Sequence, residues 1–341
     1  MRLNSSTTIS SVPKDGKPRP FWSVMIPTYN PPLKYLEQAL QGVLAQDPGR
    51  EQMQIEVVDD CSPDVDVAAA VRQIAGDRVI CSRTPQNLGL AGCWNTCVER
   101  SRGEWVHILH QDDMVLPGFY VALGKAALSD EKIGAVVCRL AFVDPDGHWL
   151  DLSDIIRKEP GVIEDWLERL GSKQLIQTPS IVVRRSVYEL IGGFRSDLCF
   201  TLDWEMWLRI ATRFSFWYEP RILANYRVHD SSETSKLLLE ASDTRDCRKM
   251  IELTQTYQPP HLVSKVTKNA RTFYAELAIQ NARRLLVLRH WRSAWKQVVE
   301  AFRLSKRPRI CWLVLSFFSL WGRLLGSYAK QFLRRCFGST N

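Results

Sequence analysis

From Trp22 to Asp144, short apolar runs alternate with segments whose apolar residues recur every three or four positions. "WSVMIPTYN" predicts a strand ending in a loop, and "LKYLEQALQGVLAQ" an amphipathic helix behind it. "IEVVDD", "VDVAAAVRQIA" and "RVICSR" repeat the order strand, helix, strand. "LAGCWNTCVERS" then predicts a helix, "WVHIL" a fourth strand, "GFYVALGKAALS" a helix and "IGAVVCRLAFV" a fifth strand. The strands are apolar almost throughout instead of alternating. That is the mark of a mostly parallel sheet with helices on both faces, so the predicted class is α/β.

Past Asp144 the pattern loosens. "DPDGHWLDLSDIIRKEPG" reads as turn-rich connection, and "PSIVVRRSVYELIGGFRSD" as a strand, a helix and a Gly-Gly turn. "TLDWEMWLRIATRF" predicts a helix with Asp203 and Glu205 near its start, and "FWYEPRILANYRVHDSSETS" extended chain closing in a polar loop. Beyond about Lys236 the chain is helical and basic. At the other end "MRLNSSTTISSVPKDGKPRP" has no apolar core of signal-peptide length, so it reads as a loose arm. The expected parts are an arm over 1–20, an α/β domain over 21–235 and a helical basic region over 236–341.

Ligands of parallel sheets sit in the crevice beyond the carboxyl ends of the strands. That rule selects Pro27, Thr28, Tyr29 and Asn30, then Asp59 and Asp60, then His110 to Asp113 in "WVHILHQDDMVLPG". Asp112 and Asp113 are the unusual pair, because adjacent like charges at the end of a buried strand resist ionisation unless a cation sits beside them. A helix cap, the competing role, needs one carboxylate and not two. Neither G-x-G-x-x-G nor a P-loop follows the first strand, which weighs against dinucleotide dehydrogenases, P-loop enzymes and nucleotidyl transfer.

Composition adds two constraints. The nine cysteines are scattered, as reduced buried thiols of a cytosolic protein are. Cys93 and Cys97, one helical turn apart, lack a second Cys/His pair and read as core packing. The formal charge of +8 belongs to the tail, which has no Asp or Glu from Ala301 onward but carries Arg303, Lys306, Arg307, Arg309, Arg323, Lys330, Arg334 and Arg335. Around "ICWLVLSFFSLWG", too short to span a bilayer, this composition fits a segment lying in a membrane interface or a helix packed on the protein's own core. Basic and aromatic residues are not arranged as a nucleic-acid module, so no nucleic-acid partner is expected.

Taken together, "IPTYN", "IEVVDDCSPD", "NLGLAGCWN", "HILHQDDMVLPG", "IGGFRSDL", "LDWEMWLR" and "YRVHDSSETS" resemble family-2 glycosyltransferases. They occur in that family's order across roughly 20–235. The resemblance implies a GT-A fold, a nucleotide-sugar donor, Mg²⁺ or Mn²⁺, and inverting transfer to a glycan or lipid-linked acceptor in polysaccharide synthesis at the cytoplasmic face of the membrane.

The same resemblance assigns residues. Pro27 and Tyr29 line the nucleotide pocket, Tyr29 stacking on the base, while Asp60 or Asp59 bonds base or ribose. Asp112 and Asp113 hold the metal on the diphosphate, although His110 stands where the family often has a further Asp. Asp203 is the catalytic base and Glu205 its supporting partner. His229 adds a third metal or diphosphate contact, or is a hydrogen-bonded loop residue. Arg227 reaches a phosphate or makes a surface salt bridge. Asn87 and Asn95 shape the donor floor, and Gly192, Gly193 and Phe194 form a turn beside the acceptor. The alternative class is a non-catalytic nucleotide-sugar or nucleic-acid binding protein, against which the presence of Asp203 counts.

Overall fold

The computed structural model describes residues 7–13, 15–16, 18–229, 232–319 and 321–322. The chain divides into two compact units, one of residues 1–170 and 174–229, the other of 171–173 and 230–341. The division falls after His229.

The first unit opens with β1 (Trp22–Thr28), α1 (Leu33–Leu44), β2 (Met53–Asp59), α2 (Val67–Ala75), β3 (Ile80–Arg83), α3 (Gly89–Arg100) and β4 (Trp105–Ile108). It continues with β5 (Met114–Val115), α4 (Phe119–Ala127), β6 (Ile133–Val143), β7 (Trp149–Leu152), β8 (Gly161–Val162) and α5 (Trp166–Ser172). The last elements are β9 (Ile181–Arg184), α6 (Arg185–Ile191), α7 (Leu202–Ala211) and β10 (Ser215–Arg227). All the strands form one mixed sheet in the order β3-β2-β1-β4-β9-β6-β10-β5, with β7 on β6 and β8 on β10.

Strands β3, β2, β1 and β4 run parallel, as do β6 and β10. Every residue of β1 is buried. Because successive side chains point to opposite faces, both faces of β1 must be covered. On one face Val24, Ile26, Ile55, Val57 and Trp105 share a core with Leu36 and Leu40 of α1, Val71 of α2 and Leu123 of α4. Helix α3 packs on β1 and β2. Thr28, Asp59 and Arg83 pair abreast, so β1, β2 and β3 end at one edge of the sheet.

Three features differ from the sequence expectation. Strand β9 runs antiparallel between β4 and β6, a direction that apolar runs do not encode. The expected connection after Asp144 contains β7 and β8; β7 is exposed at every position, so it carries no periodic signal. Of the expected loose arm, the described part is tied down. Ile9 is buried, the Thr7 carbonyl accepts from Gly193 N at 2.7 Å, and the Ser10 carbonyl accepts from Arg185 Nη2 at 2.9 Å. Arg185 is itself buried, so its guanidinium needs such acceptors.

The second unit is helical: α8 (Glu233–Leu239), α9 (Ser242–Thr254), α10 (Pro260–Val287), α11 (Trp291–Leu304), and further helical residues over 308–319. Ala282, Leu285 and Leu286 of α10 pack with Ala294 and Val298 of α11 and with Phe317. Buried Gln297 accepts from Thr244 Oγ1 at 2.6 Å and donates to Asp243 Oδ1 at 2.8 Å and to the Leu238 carbonyl at 2.9 Å. Among the described residues, no helix is long and apolar enough to cross a membrane. Arg323, Lys330, Arg334 and Arg335 lie outside the described residues.

The turn after α6 is the tightest joint near the sheet's functional edge. Gly192 has φ +86°, and a Cβ on Gly193 would stand 2.2 Å from Asn95 Oδ1. Asn95 accepts from Phe194 N at 2.7 Å and donates to the Phe194 carbonyl at 2.9 Å, which fixes the turn on α3. Gly193→Ala is expected to destabilise the fold by about 1–3 kcal/mol through this overlap. A urea-denaturation midpoint equal to that of the parent would refute the close packing.

Candidate active site

Pairing of β5 with β10 sets Met114 opposite Asn225, which carries the 110–113 loop to the end of β10. Three contacts follow across more than a hundred residues of sequence. Arg227 N donates to Asp113 Oδ1 at 2.9 Å, Arg227 Nε donates to the Asp112 carbonyl at 2.9 Å, and His229 Nε2 lies 2.8 Å from Asp112 Oδ2. His110 Nδ1 stands 3.3 Å from Asp113 Oδ2, a charge contact more than an aligned bond. Asp113 is almost completely buried, while Asp112 and His110 keep part of their surface exposed.

The electrostatics follow from this packing. Burial pushes the Asp113 carboxyl up to about 6, and the charge of Asp112 adds to it, against the lowering contacts of His110 and Arg227 N. Burial opposes ionisation of Asp112 too, but the His229 hydrogen bond and the His110 charge prevail and hold it below the usual carboxylate range. For His110 burial disfavours the imidazolium; Asp113, Asp112 and Asp203 outweigh it and raise the imidazole. Three carboxylates therefore converge electrically on one ring, which also lies 4.9 Å from the Trp94 ring, centroid to centroid.

One suitable ligand atom each from His110, Asp112 and Asp113 lie within 4.8 Å of one another. His110 Nε2 is buried without a hydrogen-bond partner, and Asp113 Oδ2 has the His110 charge contact alone. Orphaned buried polar atoms are rare and call for a missing partner. Hard carboxylate oxygens beside an imidazole suit a small divalent cation, so these residues fit one. His229, expected as a third metal or diphosphate contact or a hydrogen-bonded loop residue, is hydrogen bonded to Asp112, and the close-spaced set contains His110.

Asp203 lies in the first turn of α7. Its Oδ1 accepts from Trp204 N at 2.6 Å, and its Oδ2 from Gln174 Nε2 at 2.9 Å. Burial pushes its carboxyl up to about 6 in spite of those bonds and the His110 charge. Glu205 has a different job from the one expected. It is fully buried and forked onto Arg209, whose Nη1 and Nη2 donate to the Ile191 and Gly193 carbonyls at 2.7 and 2.8 Å. Glu205 thus supports the turn after α6.

Arg227 does not reach outward either. Besides its bonds to the acidic loop, it donates to the Pro145 carbonyl at 2.9 Å and to Gln38 Oε1 at 2.8 Å, and it lies over the Tyr35 ring at 4.4 Å. Both expectations for it, a phosphate contact and a surface salt bridge, give way to a buried brace.

At the ends of β1 and β2, Pro27 is buried and Tyr29 keeps an exposed ring (46%). The Gln111 amide accepts from Tyr29 N at 2.8 Å and donates to the Tyr29 carbonyl at 3.3 Å, holding the backbone and leaving the ring open. Asp59 is committed: Arg83 Nη1 donates to Oδ2 at 2.6 Å and Ser62 N to Oδ1 at 2.9 Å. Asp60 accepts at Oδ1 from Thr84 Oγ1 at 3.1 Å and from Leu88 N at 2.9 Å, and its Oδ2 has no protein partner among the described residues. Asn87 accepts from Gly89 N at 2.9 Å, shaping the entry to α3. His110 and Gln111 were selected from sequence only as part of the run His110 to Asp113, without a role, and Gln174 was not selected. The first two adjoin the acidic pair, which was the available signal; Gln174 meets Asp203 only through the fold.

Comparison with known proteins agrees with this layout. Residues 23–192 match the model of glycosyl transferase family 2. An uncharacterized protein of Mycobacterium tuberculosis is 27% identical over 253 residues, 71% of this chain and 78% of that one. The crystal structure of S. aureus TarS 1–349 in complex with UDP superposes at a TM-score of 0.61 with 15% identity, over 91% of either chain. The mannosyltransferase of Pyrobaculum calidifontis, in complex with GDP-Man and Mn²⁺, gives 0.55 with 17% identity, over 99% of this chain and 92% of that one. At these identities the superpositions speak for the fold. A sheet of this order with its acidic loop beyond β4, matched over β1 to α6 by the family model, makes this chain a glycosyltransferase of family 2 with the GT-A fold.

Proposed function

We propose that the chain transfers a sugar from a nucleoside-diphosphate donor to an acceptor hydroxyl with inversion, in the assembly of a polysaccharide or lipid-linked glycan. The observation that carries this reading is the close-spaced set His110, Asp112 and Asp113, with His110 Nε2 buried and unpartnered. Asp112 and Asp113, with His110 beside them, would hold Mg²⁺ or Mn²⁺. Such a cation supplies positive charge where negative charge develops on the leaving diphosphate. His229 orients Asp112 from behind, as outer partners of metal ligands do.

Tyr29 offers its open ring to the nucleobase above buried Pro27. Asp60 offers its unpartnered oxygen to base or ribose, while Asp59 stays with Arg83, and Asn87 shapes the floor. Asp203 acts as the base. It takes the proton of the acceptor hydroxyl as that oxygen bonds to the anomeric carbon and the carbon–oxygen bond to the diphosphate breaks. One displacement of this kind inverts the anomeric centre. A carboxyl pushed up to about 6 by burial is still ionised at neutral pH and is a stronger base than an exposed one. The TarS structures with UDP and UDP-GlcNAc and the mannosyltransferase with GDP-Man support the donor class.

The acceptor reading includes contact with an anionic bilayer at the cytoplasmic face. Its support is on the helical residues 308–319, where Trp312 (65% exposed), Leu315 (68%) and Phe318 recur at every third position and so share a face. The Phe318 ring meets Trp295 of α11 at 6.0 Å between centroids, extending the aromatic surface between two helices. Aromatic and aliphatic bulk beside Arg309 suits the lipid interface.

Asp203→Asn is expected to keep donor affinity, read by calorimetry, while turnover falls about 10²–10⁴-fold, the usual worth of a positioned base. In the parent, transfer should be half-maximal near pH 6 and fall about tenfold per unit below it as Asp203 protonates; a pH-independent rate would remove Asp203 from the role. Asp113→Asn should abolish the tightening of donor binding by Mn²⁺, so that its titrations with and without chelator coincide. Replacing Trp312 and Leu315 together by Ser should weaken sedimentation with phosphatidylglycerol vesicles about tenfold or more, given the apolar area removed. Undiminished vesicle binding would send that face back to solvent.

A further inference from the structure

The second unit contains a cleft that the transfer chemistry leaves unused. It has a volume of about 540 Å³ and lies between α10 and the segment that ends α11. From α10 it is lined by Ser264, Thr267, Lys268 and Arg271, which recur at three- and four-residue spacing and therefore share one helix face. Lys306 and Arg307 close it from the other side.

Four cations thus face one concavity. Among the described residues, the side chains of Lys268, Lys306 and Arg307 have no acidic partner. Arg271 has Glu252 at 3.6 Å, but its Nε is buried without an acceptor. Several other cations of this unit are paired: Arg248 and Arg303 both reach buried Glu300, and Arg309 lies 2.8 Å from Glu276. Lys268, Lys306 and Arg307 are exposed, so their mutual repulsion is screened, and an anion entering the cleft would meet all four cations at once. The donors present are ammonium, guanidinium and hydroxyl groups, with no carboxylate on the lining. That set matches the several acceptor oxygens of a phosphate.

We infer that this cleft is a second anion site, distinct from the acidic loop and specific for a phosphate or diphosphate group. The inference does not depend on the transfer mechanism, because no residue of the acidic loop or its partners takes part. Two sources carry that chemistry, a soluble phosphate compound and the headgroup of a lipid, and they are separable by experiment.

The test uses the full chain with chelator present, so that the acidic loop is left without a cation. Inorganic pyrophosphate and phosphatidylcholine vesicles containing phosphatidic acid are titrated against the parent and against Lys268→Gln combined with Arg307→Gln. Both positions are exposed, so the variant should retain the parent melting temperature, and its transfer to a soluble acceptor should be unchanged. A tenfold or greater loss of pyrophosphate binding supports a soluble ligand. Loss of vesicle binding alone supports a headgroup. A control variant, Lys125→Gln with Lys132→Gln in the first unit, removes two exposed charges elsewhere. An equal loss in that control would reduce the effect to overall charge and overturn the site, as would unchanged binding in the cleft variant or no binding by the parent.

Discussion

The site depends on how the first unit keeps two neighbouring carboxylates together in a partly dry place. Asp112 and Asp113 repel each other, and burial penalises the charge of each. What holds them is distributed over the fold: a backbone amide from the end of β10, an imidazole from the residue two further on, and a second imidazole from β4's own exit. None of these partners is local except His110. The two-residue strand β5 is what delivers the others, since its pairing with β10 fixes which residues come abreast.

That arrangement explains the heavy use of Arg227. A loop carrying two charges and no regular structure needs its carbonyls satisfied if it is to stay fixed. Arg227 bonds one carbonyl of the loop and two of the segment after β6, and rests on Tyr35. An arginine able to reach a ligand would be idle in its absence; this one is spent on rigidity. Glu205 and Arg209 play the same part under α7, locking the Gly-Gly turn while Asp203 is left to face the other way along the helix.

Much of this was legible in the chain. Apolar runs located β1 to β4 and β6, and the rule that ligands gather beyond strand ends points to the edge of the sheet where Tyr29, Asp60 and Asp112 stand. Residue type could not reveal direction, so β9 entered antiparallel unannounced. Short or exposed strands escaped as well, because a two-residue β5 and a fully exposed β7 have no period to detect. The roles that changed were those decided by partners distant in sequence. Asp59 and Asp60 look alike on paper, yet Arg83 claims one and leaves an oxygen of the other open. Gln174 has no motif at all; it matters only because the fold sets its amide against Asp203.

The bridge between Gln111 and Tyr29 has a mechanical consequence. Glutamine presents a donor and an acceptor side by side, so its amide copies a rung of sheet pairing and welds one loop's backbone to its neighbour. The residue whose ring stands open and the loop whose carboxylates crowd together are thus joined through main chain, so displacing one backbone pulls directly on the other.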